Sequence, residues 1–370
     1  MNKTLLTLMA LAISPSSFAV VNGTPLDWSQ YNNTVMIEAG NNPEQHYCTA
    51  TMIGGRFAVT AAHCVDGTEP MSTLKTYYGN SILGNITLHP QWGVNRNCLN
   101  GFNKCNDIAF LNVDTAVLYN KINYFIDSNP YTATDPLDST PMDSMTIAGF
   151  GGTPTELNQA DYTTSAYNLY YAEEMLEADM VNNSHTTGGD SGAAWINSHK
   201  EIIALHQGSD PENGRGHTTY GTNIDYVRPF ILEVVNGWHY PTVVKTAEGK
   251  ATITLQSLHQ TPPTLAVRQA DIMSDYLDVV NSTCLTKVTM QPFEKCTVVI
   301  NGLTDGELST VYLGLSDRDS FSQEIQLNAS MPTKPSDTPT DNSGSSSGGS
   351  IGFLSLFGLG LLGRLRKKEN

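Results

Sequence analysis

Thr187-Gly188-Gly189-Asp190-Ser191-Gly192-Ala193 sets a serine between glycines, with a carboxylate immediately before it. A serine hydroxyl attacks a carbonyl only when a neighbouring base takes its proton, and the oxyanion that forms needs donors already in place. Glycine serves the second need. With no side chain at Gly189, the N–H groups of Gly189 and Ser191 can both turn towards the developing charge. The stretch therefore reads as a nucleophile loop, and its base must come from elsewhere in the chain. His63, in Thr60-Ala61-Ala62-His63-Cys64, supplies an imidazole, and Asp107, in Asn106-Asp107-Ile108-Ala109-Phe110-Leu111, supplies a carboxylate to orient it.

The order His63, Asp107, Ser191, with these three local strings, resembles the trypsin/chymotrypsin family of serine endopeptidases. Singly the strings are weak: Gly-Asp-Ser-Gly suits any tight turn, and Ala-Ala-His-Cys also describes a core histidine. The resemblance implies an all-β fold, with a two-barrel protease domain over 20–240 that ends in a short helix. It places the triad at the cleft between the barrels and the oxyanion donors at Gly189 and Ser191. Protein or peptide substrates follow, and neither a cofactor nor a metal is implied. Val20-Val21-Asn22-Gly23 resembles the family's mature amino terminus, whose ammonium pairs with the aspartate before the nucleophile, here Asp190. The family creates that terminus by cutting after a basic residue. None precedes Val20, so removal of a signal segment would itself generate it, without a zymogen stage.

Specificity is where the pattern departs from trypsin. The residue six before the nucleophile, which floors the family's primary pocket, is His185, so the fixed negative charge that holds Arg or Lys is missing. Thr187 replaces a pocket-bracing cysteine. Ala204-Leu205-His206-Gln207-Gly208 occupies the pocket wall and resembles the Ile-His-Trp-Gly segment of bacterial glutamyl endopeptidases, where a histidine binds the substrate carboxylate. A protonated imidazole can do that, while a histidine on a buried strand also reads as hydrogen-bonded structure. Acidic or small polar residues are thus expected at the cleavage site in preference to Arg and Lys. A rival function is a catalytically silent surface protein that keeps the fold for adhesion, against which all three triad positions are filled.

The remaining chain sets the context. At 370 residues it exceeds one ordinary domain, and a net charge of −16 argues against a nucleic-acid partner. Residues 1–19 have the charged start, short apolar run and Ser17-Phe18-Ala19 site of a secretory signal, too short to span a membrane. Export suits the six cysteines, Cys48, Cys64, Cys98, Cys105, Cys284 and Cys296. Six allow fifteen pairings, yet these fall into three sequence-local pairs, of which Cys48 with Cys64 is the family's histidine-loop bridge. No Cys-x-x-Cys spacing favours a metal.

Short apolar or alternating runs from 34 to 115, and again from 145, read as strands. Val227, Phe230, Ile231, Val234 and Val235 recur at helical spacing between Asp225 and Gly237, and Pro229 is compatible with the first turn. Beyond 243, the runs 251–255, 277–280, 297–300 and 310–315 predict a small immunoglobulin-like β-sandwich over 243–328, with no catalytic constellation. Residues 330–350 have the composition of a disordered linker. Gly348-Gly349-Ser350, an apolar run over 351–363 and a basic end complete a tail over 351–370 that resembles the GlyGly-CTERM sorting signal of Gram-negative exoproteins. That resemblance implies tail-processing machinery, type II secretion by way of the periplasm, a secreted or cell-surface destination, and membrane contact only through the tail.

Overall fold

β-Branched and apolar residues in short runs, broken by glycine, asparagine and proline, favour pairing as strands over helices of useful length. A computed structural model describes residues 20–39, 47–67, 71–93, 106–128, 141–165, 174–210, 218–314 and 323–335. The signal at 1–19, Cys98 and Cys105, most of the linker and the tail at 351–370 lie outside the described residues. No helix among the described residues is long and apolar enough to cross a membrane.

Six strands, β1 (Thr34–Ala39), β2 (Tyr47–Ile53), β3 (Phe57–Thr60), β4 (Met71–Thr76), β5 (Gly79–Leu88) and β6 (Ala109–Val113), close into a barrel in the order β1-β2-β3-β6-β5-β4. Six more, β7 (Pro141–Gly149), β8 (Asn158–Ser165), β9 (Met175–Met180), β10 (Ala194–Asn197), β11 (Glu201–Asp210) and β12 (Thr218–Asn223), follow the same order, β7-β8-β9-β12-β11-β10, with β7 pairing both β8 and β10 to close the ring. The expected two-barrel fold is present. Each barrel buries its own apolar cluster, Val35, Ile37, Leu74 and Leu111 in the first and Met145, Ile147, Leu176 and Trp195 in the second. Closure leaves no unpaired sheet edge, so the segments that enter and leave the strands are free to carry chemistry.

Helix α1 (Ile224–Val235) follows, capped by the Asn223 side chain on the Asp225 N–H and ended by left-handed Asn236. It starts at Ile224, so Pro229 lies inside the helix rather than in its first turn. The missing N–H bond is tolerated because Val227, Phe230, Ile231 and Val235 bury one face.

Beyond it, β13 (Gly237–His239), β14 (Val243–Val244), β15 (Lys250–Leu258), β16 (Ile272–Met273), β17 (Lys295–Asn301), β18 (Ser309–Leu313) and β19 (Gln323–Leu327) form two sheets, β13-β15-β17 and β14-β19-β18-β16. Alternate residues Ile253, Leu255, Val298, Ile300, Val311, Leu313, Ile325 and Leu327 make their common core. Cys284 is bonded to Cys296. One expected strand is absent: residues 277–280 form a turn with a single bridge, Leu277 to Ile300. Val280 is 82% exposed and Asp278 holds the Asn281 N–H, so local turn chemistry overrides the apolar run.

These sheets are keyed into the barrels. Buried His239 accepts from the Gly54 N–H in the β2–β3 turn and bonds the Asn123 carbonyl with its other nitrogen. Gln256 pairs with both the N–H and the carbonyl of Phe125, and Thr242 holds the Tyr119 N–H. Leu258 and Phe293 join a single apolar cluster with Val59, Phe110, Leu205 and the buried face of α1.

Candidate active site

The turn Ala62–Cys64 follows β3 directly and carries His63, tied back to β2 by the Cys48–Cys64 disulfide. Asp107, just ahead of β6, is buried. One carboxylate oxygen accepts the His63 backbone N–H at 2.9 Å and the other lies 2.7 Å from the ring Nδ1. Two contacts from one carboxylate fix both the place and the rotation of the imidazole and engage Nδ1, so that Nε2 is the ring nitrogen Asp107 leaves open. Burial pulls the imidazole towards its neutral form, but the hydrogen bond and charge of Asp107 outweigh it, so the pKa is raised. Thr222, from β12 of the second barrel, donates to the Asp107 carbonyl at 3.0 Å. The pair therefore sits at the junction of the two barrels.

Ser191 enters from the loop ahead of β10, and its carbonyl lies 3.8 Å from the Cys64 sulfur, beside the histidine turn. Two glycines are required here. Gly189 has φ +103° and a Cβ there would lie 2.4 Å from the Tyr47 ring; at Gly192, φ +82°, it would lie 2.0 Å from the Thr60 hydroxyl oxygen. Among the described residues, neither the Gly189 nor the Ser191 N–H is spent on a hydrogen bond.

Asp190 is completely buried between Gly149 and Gly151, where a Cβ on Gly151 would approach its carboxylate to 2.3 Å. Burial pushes its pKa up to about 7, against the stabilising N–H groups of Thr187 and Gly151. Val20 reaches the same place: its nitrogen donates to the Gly151 carbonyl at 2.7 Å and its side chain is buried. Val21 pairs with His185 in a short bridge.

Of the expected pocket residues, His185 turns its Nδ1 towards the Asn183 carbonyl, whereas His206 is buried on β11. Burial, with the charge of His63 behind it, presses the His206 pKa down to about 3, so its ring is neutral at ordinary pH. Its Nδ1 meets the Thr219 hydroxyl at 3.0 Å. That hydroxyl belongs to a cluster with Ser209, Thr186 and Tyr162, and also donates to the Gly208 carbonyl. Four separate strands and loops supply these hydroxyls, and no local motif marks them. Cys48, His63 and Cys64 bring ligand atoms within 4.8 Å of one another, but the two sulfurs are joined as a disulfide and offer no thiolate.

A family model described as trypsin matches residues 20–231. Among solved structures, the chain is similar to kallikrein-related peptidase 10, with 16% identity over 57% of this chain and 98% of that one, at a TM-score of 0.43. It is also similar to human heparin binding protein, with 14% identity over 58% and 96% of the two chains, at a TM-score of 0.45.

Proposed function

The chain belongs to the trypsin family, and from that premise we propose that it is a serine endopeptidase acting through an acyl-enzyme. The observation that carries this reading is the buried Asp107 carboxylate holding His63 by both its backbone N–H and its ring, beside the loop of Ser191. In the proposed cycle Ser191 attacks the scissile carbonyl while His63 takes its proton. The N–H groups of Gly189 and Ser191 meet the oxyanion, and His63 then gives its proton to the leaving amine. Water, its proton taken by His63, attacks the acyl-serine ester, and His63 returns that proton to Ser191 as the acid product leaves. Asp107 keeps Nδ1 protonated and stabilises the imidazolium. Labelling with a fluorophosphonate tests the reading, because only an activated serine reacts.

We place the hydroxyl cluster of Thr186, Ser209 and Thr219, with His206, beneath the first substrate residue. Among the described residues no carboxylate is hydrogen-bonded to this cluster, whose polar groups are hydroxyls and a neutral imidazole. Hydroxyls both donate and accept, so small polar residues fit best; Glu would have to bring a proton onto His206. A peptide-library cleavage profile across pH is expected to favour small polar residues. The rate should fall in acid with an apparent pKa above the usual imidazole value, because catalysis needs neutral His63 and its pKa is raised. An Arg/Lys profile would overturn the pocket assignment, and an acid limb below about 6 would overturn the role of the His63–Asp107 pair.

We further propose that export removes residues 1–19 and the tail beyond Gly349. Val20 has φ +52°, costly for a β-branched residue inside a chain and without consequence once the preceding peptide bond is cut. The ammonium so formed would stand beside the buried Asp190 carboxylate and keep it ionised. Mass spectrometry of protein recovered from the culture medium should then find Val20 as the first residue and an end near Gly349. A mature chain beginning beyond Gly23 would remove the proposed partner of Asp190.

A further inference from the structure

The direction of an oxyanion donor is set by the peptide plane that contains it, because in a trans peptide the N–H points opposite to the preceding carbonyl. Around Ser191 each of those carbonyls is held. The Gly188 carbonyl accepts from the Gly152 N–H at 3.1 Å, which turns the Gly189 N–H away from Gly152. The Asp190 carbonyl accepts from the Ala193 N–H at 2.9 Å, which fixes the Ser191 N–H. The two planes that remain, those of the Gly189 and Ser191 carbonyls, are held by one residue of the other barrel. Thr49, on β2, gives its hydroxyl proton to the Gly189 carbonyl at 2.9 Å and its backbone N–H to the Ser191 carbonyl at 2.9 Å.

The hydroxyl is fully committed by this arrangement. Its one proton goes to Gly189, and a lone pair accepts the Phe150 N–H at 3.2 Å, so it ties the nucleophile loop to the strand end that also carries Gly151. Thr49 is completely buried, and its own carbonyl accepts the Thr60 hydroxyl at 2.8 Å, which prevents the strand from shifting. Gly192 packs against this pair, with no room for a Cβ between Thr60 and the Thr49 carbonyl.

We propose that Thr49 is a positioning residue for the oxyanion site, its hydroxyl fixing the Gly189–Asp190 peptide and through it the direction of the neighbouring N–H donors. This rests on the serine endopeptidase reading of the same site. Losing the hydroxyl frees a plane adjacent to both donors without deleting either, so the loss in kcat should be about ten-fold, below the hundred- to thousand-fold that follows removal of a donor.

The test compares the parent with Thr49→Val and Thr49→Ser, measuring kcat and KM on labelled casein and the Ki of a peptide aldehyde, which forms the oxyanion, against that of the matching peptide amide, which does not. The expected result for Thr49→Val is kcat lower by about ten-fold at constant KM, with aldehyde affinity reduced by a similar factor and amide affinity unchanged. Thr49→Ser should restore both. Equal loss in Thr49→Ser and Thr49→Val, or a fall in melting temperature with kcat and aldehyde binding intact, would overturn the proposal. A parent protein that neither hydrolyses casein nor reacts with a fluorophosphonate would instead refute the endopeptidase reading, a result distinct from any difference between variants.

Discussion

Ser191→Ala is expected to give a folded protein whose turnover on casein is lower by roughly 10⁴- to 10⁶-fold and which no longer takes a fluorophosphonate label. The magnitude follows from the proposed chemistry. Without the hydroxyl there is neither attack nor acyl-enzyme, and what remains is the contribution of the oxyanion site and of binding to uncatalysed hydrolysis. Folding should be indifferent to the change, because the loop is held through backbone groups: the Ser191 carbonyl by Thr49, the Gly192 N–H by the His206 carbonyl, and the Ala193 N–H by the Asp190 carbonyl. Melting temperature measured beside activity separates the two effects. A variant that cleaves casein at the parent rate would refute the mechanism. A parent with no label would favour the rival, a protease fold kept for binding.

The second large effect concerns the sheets that follow the helix. A chain ending at Tyr240 is expected not to accumulate as a soluble monomer, and residues 20–334 should unfold in one transition. The reason is the shared cluster: Leu258 and Phe293 pack with Val59, Phe110 and the buried face of α1. Their removal uncovers apolar surface on both barrels, at about 1.5–3 kcal/mol for each large side chain lost. Arg228, whose guanidinium stacks 4.4 Å above the Phe293 ring, loses its platform as well. Phe125 loses the Gln256 amide that satisfies both its N–H and its carbonyl, and Tyr119 loses Thr242. Several such losses together reach the total stability of an ordinary domain, about 5–15 kcal/mol. Calorimetry and gel filtration of the two chains decide the matter. If the short chain is soluble, monomeric and labelled by a fluorophosphonate, the sheets are an appendage and the keyed interface carries no stability.

Much of this protein is written locally. Gly189 and Gly192 are required by positive φ and by neighbours that leave no space for a Cβ, so the nucleophile loop is visible as a string. His63 stands next to a cysteine, and Asp107 immediately precedes the apolar run Ile108-Ala109-Phe110-Leu111, so each carries its own signature. Short apolar or alternating runs mark several strands of each barrel, and apolar spacing marks α1. Where short-range and long-range forces compete, local composition does not decide the element. Residues 277–280 have the composition of a strand, yet Asp278 captures the Asn281 N–H and makes a turn. Pro229 is compatible with a first turn, yet it lies inside α1, where burial of one face carries the helix through it.

The sequence by itself determined the triad candidates and the nucleophile loop, because each depends on residue types at short spacing, and the two-barrel architecture followed from the family resemblance that those strings carry. Tertiary structure alone decided the rest. Thr49 lies in Cys48-Thr49-Ala50-Thr51-Met52-Ile53, which reads as an ordinary strand, and its partners Gly189 and Ser191 are about 140 residues away. The hydroxyls of Tyr162, Thr186, Ser209 and Thr219 converge from four elements, and the neutrality of His206 comes from burial that no local string encodes. Hydrogen-bond direction and desolvation are properties of the neighbours that folding brings together, so they exist only once the barrels have closed.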